Sequence, residues 1–344
     1  MTLSIIILVY NVEKYIRPCI ESIYRQGLNE NDFEIILVND GTPDNSIRVI
    51  SDILNQHSNI IVLEQENQGQ ATVRNLGLSR ACGKYVIMID SDDLLIDHTL
   101  ITLLDKAKTH DTDLTIGDFL ELHDEEISEM ESFTQKDVTS KEMTGEELLL
   151  SLNPHHCYIW RIIYKREFLT KNNITFTPGI TYEDVPFVHE CYIKAKKCMI
   201  LNWTFYIYRK GHESTTFSFS EKKGKDFSTS IAKTWELTTI EGLRPDVKKK
   251  LENDVFTSFS VLISTISHCT KSLKERINIV DYLSQKTKDI YFKNGRKQKF
   301  TNFMFKAMPH TYIHIHYLYG KIFEDYIIPC YHQLRNRMHS PSHS

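Results

Sequence analysis

Three carboxylates fall within four residues at Asp90-Ser91-Asp92-Asp93, directly after the apolar run Tyr85-Val86-Ile87-Met88-Ile89. Five apolar residues between a Gly83-Lys84 turn and an acidic cluster read as a buried strand. The C-terminal end of such a strand opens into the crevice where α/β sheets bind ligands. Asp-x-Asp placed there supplies hard oxygen ligands for a divalent cation shared with a substrate phosphate. The competing reading is a helix cap, because Asp is favoured at that position.

Three other segments sit where strands should end. Tyr10, Asn11 and Glu13 follow the first apolar run, and Asn39-Asp40-Gly41-Thr42 follows the second. Asp40-Gly41 is a turn signal, yet a carboxylate at a strand end also accepts hydrogen bonds from a nucleobase or ribose. After the third run come Asn67-Gln68-Gly69-Gln70 and then Arg74-Asn75, where a cation is within reach of a nucleotide phosphate. Each segment alone has an ordinary structural explanation as turn, cap or surface residue.

The elements that must position them alternate regularly. Strands are expected over 4–10, 34–39, 60–65 and 84–90, each rich in Ile and Val as strands covered on both faces are. Helices are expected over 12–26, 44–56 and 70–81; Ile16, Ile20, Ile23 and Tyr24 recur at helical spacing and Gly27 closes the first. This alternation predicts an α/β fold with a mostly parallel sheet and right-handed crossovers. Further on, 97–110 reads as a helix, 113–122 as a strand and 124–137 as an acidic solvated loop. A helix over 144–152 starts with Thr144 and Glu147 spaced as a capping box. A strand over 158–165, a helix opened by Tyr182-Glu183-Asp184 and a strand over 199–209 complete this texture. From about 220 helical patterns take over, so the domains expected are 1–219 and a mainly helical 220–344.

Composition narrows the function classes. The net charge of −4 over 344 residues argues against nucleic acid as the main partner. Residues 1–100 hold seven Lys/Arg against fourteen Asp/Glu, which suits a cation site; residues 291–344 hold eight against two, which suits an anionic surface. The seven cysteines are scattered without Cys-x-x-Cys spacing, so zinc is not expected and a reducing cytoplasm is. The first strand lacks the basic flank and cleavage site of a secretion leader. Ile315, Leu318, Ile322, Tyr326 and Ile327 lie at helical spacing near Lys293, Arg296, Lys297, Lys299, Arg335 and Arg337. That pattern predicts an appendage packing on the protein or on a second subunit, or resting on the inner leaflet of a membrane. His310, His314, His316 and His332 are irregularly spaced and do not read as a metal site.

In order and spacing, these motifs resemble the inverting family 2 glycosyltransferases with the Rossmann-like GT-A fold. The matching residues are Ser4 to Asn11 with Glu13, Val38-Asn39-Asp40-Gly41, Asn67 to Asn75 and Asp90-Ser91-Asp92-Asp93. Tyr182-Glu183-Asp184-Val185-Pro186-Phe187 is similar to the family's Glu-Asp-x-x-Phe segment, and Tyr208-Arg209 with Ser214 to its closing strand and loop. The resemblance covers about residues 1–216.

It implies that Asp40 contacts the uracil of a UDP-sugar, that Asp90 lies near the ribose, and that Asp92, with Asp90 and His212, holds Mn²⁺ or Mg²⁺. Tyr10, Asn11, Glu13, Asn67, Arg74, Ser91 and Ser214 would line the nucleotide-sugar pocket. Asp184 would be the general base with Glu183 beside it, and Trp160 and Tyr182 would face the acceptor together with His155 and His156. Two positions depart from the pattern: Ile162, beside Arg161, stands where many relatives carry Lys, and Val73 stands where a small residue is commoner. The chemistry expected is direct displacement with inversion. A divalent cation offsets charge on the departing diphosphate, and a carboxylate on the opposite side deprotonates the acceptor hydroxyl. The acceptors expected are glycans or lipid-linked glycans of capsule, lipopolysaccharide or exopolysaccharide. Nucleotidyl transfer calls for a Gly-rich turn after the first strand, where Tyr10-Asn11-Val12-Glu13 has none; a binding scaffold without turnover is the non-enzymatic alternative.

Overall fold

The computed structural model describes residues 1–129, 137–152, 157–211, 219–270 and 272–322. The chain forms two compact units, residues 1–215 with 240–250, and residues 216–239 with 251–344. Residues 240–250 thus cluster with the first unit although they lie past the change in sequence texture.

In the first unit β1 (Leu3–Val9), β2 (Phe33–Asn39), β3 (Ile60–Glu64), β4 (Tyr85–Asp90), β5 (Leu94–Leu95), β6 (Leu114–His123), β7 (Ser140–Met143), β8 (Ile162–Lys165) and β9 (Cys198–Lys210) make one nine-stranded sheet. Its order is β3-β2-β1-β4-β8-β6-β9-β5, with β7 also on β9. The β3-β2-β1-β4 half is parallel. Beyond β4 the sheet is mixed, because β8 runs antiparallel to both β4 and β6 while β6 and β9 run parallel. Leu3, Ile5, Ile7, Ile35, Leu37, Val86 and Ile87 are fully buried, as strands covered on both faces require. Register sets the site: Val9 pairs with Asn39, Asn39 with Glu64, and Leu8 with Asp90. All four strands of this half therefore end at the same edge.

Helices α1 (Ile16–Tyr24), α2 (Ser51–Gln56), α3 (Gln70–Arg80), α4 (Leu100–His110), α5 (Asp124–Glu129), α6 (Gly145–Ser151), α7 (Arg166–Lys171) and α8 (Asp184–Lys194) accompany the sheet. α1 buries Ile16, Ile20 and Ile23 of the expected stripe together with Cys19, while Tyr24 is half-buried. A Cβ on Gly77 would lie 2.5 Å from Ile6 Cγ2, so α3 approaches β1 as closely as only glycine permits. The capping box forms: Thr144 Oγ1 accepts from the Glu147 amide at 3.2 Å and Glu147 Oε2 accepts from the Thr144 amide at 2.8 Å.

Several boundaries shift for local reasons. α1 begins four residues late, after a turn in which Asn11 takes a left-handed φ of 55° and the amides of Asn11, Val12 and Glu13 donate to Thr42, Ser46 and Asp44. Asp44 likewise captures the Ser46 amide and the Thr42 hydroxyl, so the helix expected over 44–56 is a 3₁₀ turn at Arg48–Ile50 followed by α2. The acidic stretch after 124 opens as α5, not as a loop, with three acids in its first turn, where the helix dipole favours negative charge. Ile159–Arg161 form a 3₁₀ turn ahead of β8, shortening the strand expected over 158–165.

The second unit is helical: α9 (Glu221–Glu236), residues 251–269 of α10 (Pro245–Cys269), α11 (Leu273–Lys286), α12 (Arg296–Ala307) and α13 (Pro309–Ile322). Its core gathers Ile231, Phe259, Leu262, Ile266, Leu283, Phe292, Phe305 and Ile313. Ile315 and Leu318, expected to face a partner or the core, are exposed, whereas Tyr312 and Ile313 are buried. Ile327 and the rest of the expected stripe beyond 322 lie outside the described residues. Among the described residues no helix is long and apolar enough to cross a membrane.

Candidate active site

The shared strand edge brings the acidic motifs together from four loops. After β1, Asn11 adopts φ 55° and Tyr10 is half in solvent. Glu13 Oε2 accepts from the backbone and side-chain amides of Asn45 at 3.1 and 3.2 Å, so Glu13 braces the loop after β2. Asp40 is buried on that loop. Its Oδ1 accepts from Gln65 Nε2 at 2.6 Å and the Gln68 amide at 2.9 Å, and its Oδ2 from the Gly69 amide at 2.9 Å. Asp40 thereby fixes the 65–69 loop as well as facing the strand edge. Gly41 has φ 64°, and a Cβ there would sit 3.2 Å from the Asn67 amide nitrogen. Asn67 itself is exposed.

The three carboxylates at the end of β4 occupy different settings. Asp93 is buried; its Oδ2 accepts from Tyr206 OH at 2.7 Å and its Oδ1 from the Arg209 amide at 2.8 Å. Burial, with Asp92 and Asp90 adding like charge, holds its carboxyl well above the usual range. Asp92 is half-buried, and its carbonyl accepts from Arg209 Nε at 2.7 Å. Asp90 is half-buried too; its amide donates to Tyr206 OH at 3.2 Å. Its carboxyl is pushed up to about 6, by desolvation first and by Asp92, against the pull of Arg74. Ser91 is buried between them.

Arg74 on α3 joins this turn to the other carboxylate pair. Its Nη1 donates to Glu183 Oε1, its Nη2 lies 3.3 Å from Asp90 Oδ1, and its guanidinium stands over the Phe176 ring at 5.7 Å. Neighbouring Asn75 clamps the approach to Glu183: its Nδ2 donates to the Phe176 carbonyl at 2.8 Å and its Oδ1 accepts from the Phe176 amide at 2.9 Å. Tyr182 has φ 68°, a left-handed conformation that costs a bulky residue energy. That kink precedes Glu183, buried at the N-cap, and Asp184, first residue of α8. Burial pushes the Asp184 carboxyl up to about 7, reinforced by the charge of Glu183 and opposed by Arg74.

An aromatic column runs from the acidic turn, where Tyr206 donates to Asp93. Trp160 stacks on Tyr206 at 4.4 Å, Tyr158 at 4.9 Å and Tyr208 at 5.6 Å between ring centres, with Phe119 edge-on at 4.8 Å. Trp160 is only 4 % exposed, so it supports the wall while the half-buried Tyr158 and Tyr208 offer surface. Arg161, next to the position where relatives carry Lys, is buried and donates from Nε to the Gly117 carbonyl at 3.1 Å.

Arg74, Asp90, Glu183 and Asp184 thus form one constellation, with Asp92 on the same turn as Asp90 and Asp40 at the same sheet edge. His212, Ser214, His155 and His156 lie outside the described residues. Sequence reasoning missed the bracing by Tyr206 and Arg209. Arg209 also pairs with Asp124 on α5 and covers the Tyr15 ring at 5.1 Å. The Tyr208-Arg209 pair was visible in the sequence, but its link to the acidic turn spans more than a hundred residues and leaves no local signal.

Among the described residues no three His, Cys, Asp or Glu side chains gather as a metal cage. One or two carboxylates on a turn still fit Mg²⁺ or Mn²⁺, which keep most of their shell for water and substrate phosphates.

Residues 4–171 match the family model described as Glycosyl transferase family 2. Uncharacterized glycosyltransferase EpsJ of Bacillus subtilis is 33 % identical over 220 residues, 62 % of this chain and 62 % of the relative. Glycosyltransferase GlyG of Streptococcus pneumoniae is 26 % identical over 304 residues, 85 % of this chain and 94 % of the relative. The chain therefore spans less than two thirds of the first and nearly all of the second. Among solved structures, S. aureus TarS 1–349 in complex with UDP-GlcNAc has a TM-score of 0.68 at 22 % identity, covering 84 % of this chain and 82 % of that one. The likeness is one of fold, and the fold is GT-A.

Proposed function

We propose that the protein, whose residues 4–171 match the family model described as Glycosyl transferase family 2, transfers a sugar from a UDP-sugar to a hydroxyl of a glycan or lipid-linked glycan, inverting the anomeric centre. The observation that carries this reading is the Arg74 bridge between Asp90 and Glu183. It sets a carboxylate turn suited to a diphosphate beside a carboxylate with the basicity to accept a proton. The UDP assignment is supported by the bound UDP-GlcNAc of the structural relative and by the strand-end carboxylate of Asp40.

In this mechanism Asp40 and the 65–69 loop hold the base. Asp92, with Asp90, would hold Mn²⁺ or Mg²⁺, which supplies charge stabilisation to the departing diphosphate. Asp184 accepts the acceptor's proton as the hydroxyl attacks the anomeric carbon from the far side; its carboxyl, at about 7, matches the pH of a cytoplasm. Glu183 and Arg74 orient that carboxylate. Tyr158, Tyr208 and Tyr182 shape the acceptor side. A cytoplasmic setting and a role in surface-polysaccharide synthesis belong to the same proposal, and the buried free thiols Cys19, Cys157, Cys191 and Cys198 support the former.

The test is a thermal-shift panel of UDP, GDP, CDP and dTDP, each with Mn²⁺ or EDTA, followed by product analysis with UDP-sugars. A nucleotide at a hundred times its dissociation constant stabilises by about 2.7 kcal/mol, or roughly 5–10 °C. A shift with UDP that requires Mn²⁺ is expected. Silence with every nucleotide would overturn the reading in favour of a scaffold without turnover.

A further inference from the structure

Helix α12 (Arg296–Ala307) turns Gln298, Thr301 and Phe305 into the second unit's core. Its opposite side carries Phe300 and Phe303, which are 60 % and 66 % exposed. At 3.6 residues per turn, Phe303, Ala307 and Phe300 form the middle of that side. Exposed Lys299 and Lys306 flank them on one edge, exposed Lys297 stands on the other, and Arg296 lies in the first turn. No Asp or Glu occurs in the helix. The loop before it extends the same character: Tyr291 is 58 % exposed, and Lys306 Nζ sits 3.9 Å over its ring while donating to the Lys288 carbonyl. Residues 282–308 together hold seven Lys/Arg and one acidic residue, in a chain whose net charge is −4.

Two large aromatic side chains in water, bordered by cations, call for a surface that is apolar in depth and anionic at its rim. A second copy of the chain does not match, because a two-fold contact would set this basic face against itself. A bilayer with acidic headgroups does match: aromatic rings enter the headgroup–acyl boundary while Lys and Arg stems reach outward to lipid phosphates. We propose that the outward face of α12, with Tyr291 and Lys293, docks on an anionic lipid surface, Phe300 and Phe303 inserting and Arg296, Lys297 and Lys299 pairing with headgroup phosphates. This surface belongs to the second unit alone, so it goes beyond the sugar chemistry proposed above and is read by binding instead of turnover.

The experiment is co-sedimentation of the full chain with vesicles of phosphatidylcholine containing phosphatidylglycerol, and with phosphatidylcholine alone. Binding to the anionic vesicles only, weakening as salt is raised, is expected. Each basic residue near such a surface contributes about fivefold in partition (about 1 kcal/mol), so R296Q/K297Q/K299Q is expected to lower it about a hundredfold. F300S/F303S should lower binding while leaving the melting curve in place, since both rings are already mostly in solvent. If that variant misfolds, the charge variant decides alone. Equal binding to neutral vesicles, no binding to either, or unchanged partition in the charge variant would overturn the proposal. So would a dimer in lipid-free solution that F300S/F303S dissolves, or tighter binding to a single-stranded oligonucleotide than to the anionic vesicles.

Discussion

Arg74 and Glu183 stand 109 residues apart in sequence, yet their side chains pair directly and are almost wholly removed from water, at 8 % and 3 % exposure. The same guanidinium reaches Asp90. One cation thus ties the end of β4 to the start of α8, and with it the two carboxylate clusters to which the proposed displacement assigns the diphosphate and the acceptor.

Removing that cation is expected to destabilise the fold as well as the chemistry. Arg74→Met leaves Glu183 buried without its partner, a loss of about 3–5 kcal/mol for a pair of this kind. Replacing both, in R74M/E183M, removes the stranded Glu183 charge and should restore part of the stability, Asp90 still lacking its cation, while transfer stays lost. Urea denaturation of the two variants checks this; equal stability of the single and double variants would show that the pair does not act as a buried ion pair.

The pH dependence follows from Asp184. Its carboxyl is raised to about 7 in the folded protein, against about 3.9 in an unfolded chain. The ionised form is the proposed base, so kcat is expected to rise with pH and level off above about 7. Stability moves oppositely, because the folded state binds the proton more tightly. Asp184's contribution is complete below about pH 4 and is lost as pH rises through 7. Asp184→Asn should abolish transfer, retain UDP binding and gain melting temperature relative to the natural protein between pH 4 and 7. Taking the difference between the two proteins removes the titration of Asp90, which is common to both. A melting difference independent of pH, or loss of UDP binding, would assign Asp184 a structural role.

Much of the parallel half-sheet is legible in the sequence because β1, β2 and β4 are buried and read as nearly unbroken apolar runs, whereas the edge strand β3 keeps the Ile/Val run although it is only half covered. The motif loops are legible because they follow those runs directly. What is hidden depends on residues far along the chain. Nothing local distinguishes Asp93 from Asp92; the distinction comes from Tyr206 and Arg209, 113 and 116 residues later. The burial of Trp160 depends similarly on β6 and β9 supplying Phe119, Tyr206 and Tyr208 around it. The turn ahead of α1 also depends on distant residues, since its amides donate to side chains of the loop after β2. Periodicity sees the hydrophobic face of that helix but not those acceptors.

Asp92 and Asp93 are adjacent, chemically identical and expected to fail in different ways. Asp93 spends both oxygens on Tyr206 and the Arg209 amide inside the protein. Asp93→Asn replaces one acceptor with an amide donor facing a donor, at a cost of about 1–3 kcal/mol for a buried group left unsatisfied. Its ligand-free melting temperature should fall, and the Mn²⁺-dependent shift with UDP should persist in the fraction that folds. Asp92 is half-buried, and the hydrogen bond from Arg209 goes to its backbone carbonyl, which substitution leaves intact. Asp92→Asn removes a charge that pushes up the carboxyls of Asp90 and Asp93, so its ligand-free melting temperature should stay above that of Asp93→Asn. The same substitution should remove the Mn²⁺-dependent UDP shift. A differential scan of both variants, with and without UDP and Mn²⁺, separates the two roles. If Asp92→Asn lowers the melting temperature and keeps the UDP shift, the metal assignment moves off Asp92 and the acidic turn is only a structural join between β4 and β9.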